Sequence, residues 1–433
     1  MASNQELNTS SQLQVGLELE FLAPRNKEWE TKNISRLTRL DQRLEHKMRE
    51  DACRHRLAEK LYESGIRSAV HLVTPFEYND KPISSPFLVG VTRDSLVCQR
   101  IKILGDPALI DRSVSSWAQP YQHWLIKDED SLSFEHDDDD GWIMCELNSP
   151  IINEQHTGGN GHMAGLDVVL NRIATADRHA KVHLNNGCGL HVHVSPVAGP
   201  TLLYAKRLST LLMAVERTLL FRVCNSSRAE VHDAIKDSRS LSAMGFSFDH
   251  GRQTMPQEAI DNVPENMRHS SREDIFVHRV WSARDLVDLA NKVECSREST
   301  HHDLVPAVLF KFMPHAGGSR TMTIEFRHPE ATWNVAFIRN WVRLVLAVSR
   351  VALLPSHKLK EALHELFELV PGFHEQDPDI ETIWIKQLRI LNEYYLAAGG
   401  QEPLDEAFWV QRVASLRHAT GSLDYNEQGE LKI

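Results

Sequence analysis

Four short stretches of this chain carry side chains that could do metal and phosphate chemistry. VGLELEF holds Glu18 and Glu20, WIMCELNSP holds Glu146 and Asn148, LHVHVSP holds His191 and His193, and TIEFR holds Glu325 and Arg327. Carboxylates and imidazoles together suit a hard divalent cation, and a guanidinium beside them supplies the bidentate donor that matches phosphate geometry. None of the doublets contains a thiolate, which favours Mg²⁺ or Mn²⁺ over a structural zinc. A magnesium site of this kind usually completes its shell with substrate phosphates. Each doublet alone has a plainer reading: a solvated strand face for Glu18 and Glu20, a hydrogen-bonded imidazole pair, an ion pair for Glu325 with Arg327. Their joint occurrence is what points to a site.

The spacing dictates the elements that must hold these groups. Members of each doublet are two residues apart and flanked by apolar residues, as Glu18 and Glu20 are by Val15, Leu17, Leu19 and Phe21. A strand with that alternation puts the ligands on one face and the apolar side chains on the other. Further β-like runs are AVHLVTPFEY, YQHWLIKDED and LVPAVLFKFMP. The acidic turn HDDDDG joins YQHWLIKDED to WIMCELNSP, and HAGGS joins LVPAVLFKFMP to RTMTIEFRHP, so both pairs read as hairpins. Lys311 shares the site-facing parity with Leu309. Three- and four-residue apolar spacing predicts helices over about 32–64, 161–181, 201–224, 283–293, 331–354, 358–369, 380–398 and 404–417. Residues 246–274 show no clear period and read as a loop or insertion of the sort that covers sites. The order of elements predicts an α+β fold: mainly antiparallel strands with helices on one face, then a helical tail.

Composition narrows the classes of function. The chain has 433 residues, 42% hydrophobic and 25% charged, with a formal net charge of -11. That acidity disfavours a sequence-independent hold on nucleic acid, which needs clustered Lys and Arg. The longest apolar stretch, from Val335, is interrupted by Arg339, Arg343 and Arg350 and predicts an amphipathic helix, not a membrane span. The polar start, residues 1–12, predicts a flexible tail without a secretory or transit signal. Six dispersed cysteines without a CxxC pair fit a reducing cytoplasm.

Read in order, GLELEF, CELNSP, NGCGLHVHVS and TIEFRHPEATWN resemble the amidoligase family, carboxylate-amine ligases that share the glutamine synthetase fold. The resemblance runs from about Leu13 to Ser349, within an expected catalytic domain of 13–354 and ahead of a helical region of 355–433. It implies a curved, mainly antiparallel sheet and a reaction in which ATP phosphorylates a carboxylate and an amine displaces the phosphate. Two cations and an Arg would offset the charge that develops. Carried over by position, Glu18, His191 and Glu325 would hold one metal, and Glu20 and Glu146 the second. His193 would contact the nucleotide phosphates, Arg327 the γ-phosphate, and Arg228 a substrate carboxylate or phosphate, with Lys311 beside the nucleotide. The sequence departs from the family's FRQHEGT at Pro329 and Ala331, a change that bears on substrate contacts in that turn. The implied partners are a small-molecule or peptide carboxylate and an amine, amino acid or ammonia; neither they nor the oligomeric state can be read from the sequence. A metal-dependent amide hydrolase and a non-catalytic nucleotide- or metal-binding relative use the same residues and stay open.

Overall fold

The alternation in VGLELEF is realised as strand β1 (Leu13–Pro24), with Val15, Leu17, Leu19 and Phe21 buried in the main core. The computed structural model describes residues 12–25, 42–72, 87–88, 100–104, 122–129, 141–157, 162–175, 182–185, 187–226, 228, 232–233, 254–268, 273–293, 305–314, 320–370 and 380–418. Besides β1, the strands are β2 (Ser68–Leu72), β3 (Phe87–Leu88), β4 (Arg100–Leu104), β5 (Trp124–Asp128), β6 (Trp142–Asn148), β7 (Ile152–Asn153) and β8 (Leu190–Pro196). They are followed by β9 (His232–Asp233), β10 (Val305–Pro306), β11 (Val308–Pro314) and β12 (Arg320–Phe326). One open sheet runs β11-β12-β8-β1-β6-β5-β2-β4-β3, with β7 paired to the start of β1. Its pairings are antiparallel except β2 with β5, so the sheet is mixed but mostly antiparallel. β9 and β10 form a separate parallel pair.

Register does the positioning. Glu18 lies opposite Asn148 on β6 and His191 on β8; Glu20 lies opposite Glu146; His193 lies between Gly16 on β1 and Glu325 on β12. Glu146 in turn faces Lys127 on β5. Cross-strand partners project to the same side of a sheet, so these pairings gather the polar parity of five strands on one face. The opposite parity of β6 (Ile143, Cys145, Leu147) is core.

Helix α1 (Gln42–Glu63) packs against β2, β5 and β6. Within it, Arg54 is buried between Asp51, at 2.8 Å, and Asp128 of β5, at 2.5 Å. Gly65, at φ 77°, ends the segment in a left-handed turn that a side chain would strain. Helices α2 (Leu166–Ala174) and α3 (Leu202–Val215) follow. The single helix expected over 201–224 gives way after α3 to a π turn (Glu216–Leu220) and a 3-10 turn (Phe221–Val223). Glu216 there is within 3.0 Å of buried His328. The region expected as a loop at 246–274 contains helices α4 (Gln257–Asn262) and α5 (Glu265–Arg268) and the start of α6 (Glu273–Trp281). Periodicity misses them because α4 and α5 are hardly a turn or two long, too short to show a repeat; 246–253 and 269–272 lie outside the described residues.

Helix α7 (Leu286–Val293) precedes the last strands, and α8 (Val335–Val351) then packs against β8 and β1. Helices α9 (Ser356–Glu368), α10 (Ile380–Ala397) and α11 (Glu406–His418) pack on α3, α8 and one another. No helix among the described residues is long and apolar enough to cross a membrane. Cys53, Cys145, Cys188 and Cys224 are buried and reduced. Residues 136–140 of the HDDDDG turn and the start of the chain to residue 11 lie outside the described residues.

Candidate metal centre

The polar face of β1 is not wet. Glu18 and Glu20 are buried, as are Glu146, His191, His193 and Glu325, with Arg228 beside them. Burying so many ionisable groups is costly unless each finds a partner or a ligand, so the face must be read as a network.

Glu18, His193 and Glu325 stand at its centre, with one ligand atom from each lying within 4.8 Å of the others. His193 Nε2 is 3.0 Å from Glu18 Oε1 and 3.9 Å from Glu325 Oε1, while its Nδ1 lies 3.0 Å from Thr323 Oγ1, which orients the ring. A hydrogen-bond partner on the far nitrogen fixes the orientation of a ligating imidazole. His191 sits alongside: Nδ1 is 3.2 Å from Glu325 and 3.5 Å from Glu18, and Nε2 is 3.6 Å from Glu20. Both nitrogens of His191 and Nε2 of His193 are buried and turned toward these carboxylates. Buried nitrogens placed this way, facing carboxylate oxygens, fit a cation held between them.

Cations from the protein surround the trio. Arg327 Nη1 donates to Glu325 Oε1 at 2.9 Å, and Lys311 Nζ lies 2.9 Å from its Oε2. Despite burial, the ion pairs with Glu325 and neighbouring carboxylates raise the affinity of both groups for their protons. Burial likewise opposes ionisation of Glu18, but His193 and Lys127 outweigh it and hold that carboxyl well below the usual range. Glu325 is lowered against the same penalty, chiefly by His193. Glu146 goes the other way: burial and the Glu18 charge push it well up, helped by a hydrogen bond with Glu129 and opposed by Lys127.

Glu20 is held differently. Its Oε2 accepts from the Gly189 N–H at 2.7 Å, and a Cβ on Gly189 would lie 2.6 Å from His191 Nε2, 2.9 Å from Arg228 Nη2 and 3.2 Å from Glu20 Oε2. Glycine is therefore required where the NGCG turn meets the sheet. Arg228 donates from Nη2 to the Arg327 carbonyl at 3.4 Å; burial lowers its proton affinity, against the pull of Glu20 and Glu330. The turn that carries Pro329 and Ala331 is stitched to the same glycine segment: the Leu190 N–H donates to the Pro329 carbonyl and the Ala331 N–H to the Cys188 carbonyl. Buried Glu330 accepts from the Asn225 N–H and pairs with Arg412 of α11. Beyond Glu18, toward Gln14, opens a small pocket lined in part by Gly16, Asn148, His193, Ser195 and Thr323.

All nine residues picked from the sequence, Glu18, Glu20, Glu146, His191, His193, Arg228, Lys311, Glu325 and Arg327, lie at or against this one face. His191, expected with Glu18 and Glu325, lies beside both and reaches toward Glu20, and His193, expected at the nucleotide phosphates, also joins Glu18 and Glu325. Sequence reading missed Lys127, whose Nζ lies 2.7 Å from Glu146 Oε1 and 3.8 Å from Glu18 Oε1. The signal was present, since Lys127 and Glu129 alternate with Ile126 and Asp128 in WLIKDED. Asn148 Nδ2 completes this corner, donating to Glu146 at 2.7 Å and to Glu18 at 3.0 Å. No known family model and no curated protein matches the chain.

Proposed function

We propose that the protein is an ATP-dependent ligase that joins a carboxylate to an amine through an acyl phosphate, with a divalent cation at Glu18, His193 and Glu325. The observation that carries this reading is the attachment of Arg327 and Lys311 to Glu325, a residue of the cation trio itself. Cation and guanidinium side by side suit a phosphoryl group in transfer better than a water to be activated. When bound, the cation would neutralise phosphate oxygens and act as a Lewis acid on the γ-phosphate.

The residues then divide the work. Arg327 and Lys311 bind and orient the phosphates, and the neighbouring pocket marks where a substrate group would reach the site along β1 and β8. Arg228, held over the Gly189 turn, receives the carboxylate of the acceptor. The carboxylate attacks the γ-phosphate with loss of ADP, and the amine then attacks the acyl carbon with loss of phosphate. The sheet face, buried as it is, keeps water from the acyl phosphate. The glutamine synthetase-like curvature and family membership belong to this proposal, on the strength of the ordered motifs.

The test is incubation with ATP, Mg²⁺ and pooled carboxylates and amines, following ADP, phosphate and product mass. Arg327→Ala and Glu18→Gln should each lower turnover about 100-fold or more, the scale on which loss of one charge-stabilising group acts. Turnover of an amide without ATP would instead establish the hydrolase. AMP and pyrophosphate as products would mean an acyl adenylate and a different mechanism.

A further inference from the structure

The sequence resemblance implies two cations, yet the two halves of the polar face differ in what already fills them. The half at Glu18, His193 and Glu325 brings a ligand atom from each of three residues within 4.8 Å of one another, an imidazole nitrogen among them. In the other half, Glu146 Oε1 is already met at 2.7 Å by both Lys127 Nζ and Asn148 Nδ2. Glu20 is met by the Gly189 N–H on one oxygen and lies 3.6 Å from His191 on the other. The ammonium is also 3.8 Å from Glu18, so it stands between Glu146 and Glu18, where the two positions adjoin.

Register holds Lys127 there. It is the direct cross-strand partner of Glu146, which is itself the partner of Glu20, so Lys127, Glu146 and Glu20 form one row across β5, β6 and β1. Its side chain is 31% exposed, with the ammonium reaching inward from the edge of the site. A second divalent ion would have to sit beside a fixed ammonium in a largely buried site, where like charges repel strongly.

We infer that the nucleotide-free chain holds one divalent cation, at Glu18, His193 and Glu325, and that the Lys127 ammonium takes the place of a second. This rests on the cation-dependent reading of the same face, not on the identity of the reaction. Lys127 is then a specificity-determining residue for metal number, and it supplies a fixed positive charge beside the phosphates.

The experiment counts ions. Metal-stripped full-length protein is titrated with Mn²⁺ in the absence of nucleotide, free Mn²⁺ being read from its paramagnetic resonance signal and bound ion from calorimetry. The wild type should bind one Mn²⁺ per chain. Lys127→Met and Lys127→Gln should bind two, the second site gaining about 100-fold or more in affinity, while Lys127→Arg, which keeps the charge, should stay at one. Thermal melts of all four proteins check that each is folded, and the Gln variant, which retains a hydrogen bond to Glu146, serves if the Met variant does not fold. Two ions on the wild type, none, or a single ion on both neutral variants would overturn the inference. Failure to make an amide from ATP would sink the ligase and leave these counts untouched, so the two results are separable.

Discussion

At the scale of single residues, Gly189 and Glu146 make the sharpest demands. A methyl group at Gly189 would press on His191, Arg228 and Glu20 at once. Gly189→Ala should therefore weaken Mn²⁺ binding or turnover about 10-fold or more while the melting temperature moves little, because the displaced groups are side-chain ends and not core; a large loss of stability with intact activity would contradict the geometry. Glu146 sets a trade between stability and function. Its carboxyl is pushed up by burial and by Glu18, so in the metal-free protein it favours the protonated form. The cost is absent below the carboxyl's ordinary value, where folded and unfolded chains are both protonated, and grows as pH rises through the elevated folded value. Glu146→Gln should thus stabilise the metal-free protein near neutral pH and make no difference in acid, as urea unfolding at two pH values would show.

At the scale of elements, β1 separates the two jobs of an alternating strand. Leu19 is buried in the core while Glu18, its neighbour, faces the cation trio. Leu19→Ala should cost about 2–5 kcal/mol of stability and leave Mn²⁺ affinity of the folded protein unchanged. Glu18→Gln should do the reverse. Denaturation midpoints and Mn²⁺ titrations on the same two variants separate these outcomes. The helices and the turns between them join the site to the rest of the fold: α11 reaches the turn after β12 through Arg412 and Glu330, and Glu330 also holds the segment that leads to Arg228. The Pro329 and Ala331 departures sit in this turn, on backbone that pairs with the NGCG segment. Any effect of these two residues on the polar face therefore passes through the Gly189 segment.

Over the whole molecule, a net charge of -11 coexists with a site that carries Lys127, Lys311 and Arg327 around it and Arg228 buried beneath. An acidic surface repels polyanions in general, while a local cluster of fixed donors still binds a small phosphate or carboxylate. A cation that binds the folded chain alone should stabilise it by about 2.7 kcal/mol at 100-fold excess over its Kd. Mn²⁺ should accordingly raise the melting temperature of the wild type, EDTA should reverse the rise, and Glu18→Gln should abolish it. An equal shift in the variant would place the bound ion elsewhere.

Most of this site was legible because strand alternation is a local property: two-residue spacing alone assigns Glu18, Glu20, Glu146, His191, His193 and Glu325 to polar faces. The α+β class and the strands and helices around those faces were legible for the same reason, except in 246–274, where the helices are too short to repeat. What lies opposite what is not local. Only the register of β8 against β1 and β12 decided that His193 meets Glu18 and Glu325, and only that of β5 against β6 brought Lys127 to Glu146. Burial was decided there too: the same carboxylates that alone would be an ordinary solvated face become costly, and hence informative, once tertiary packing removes them from water.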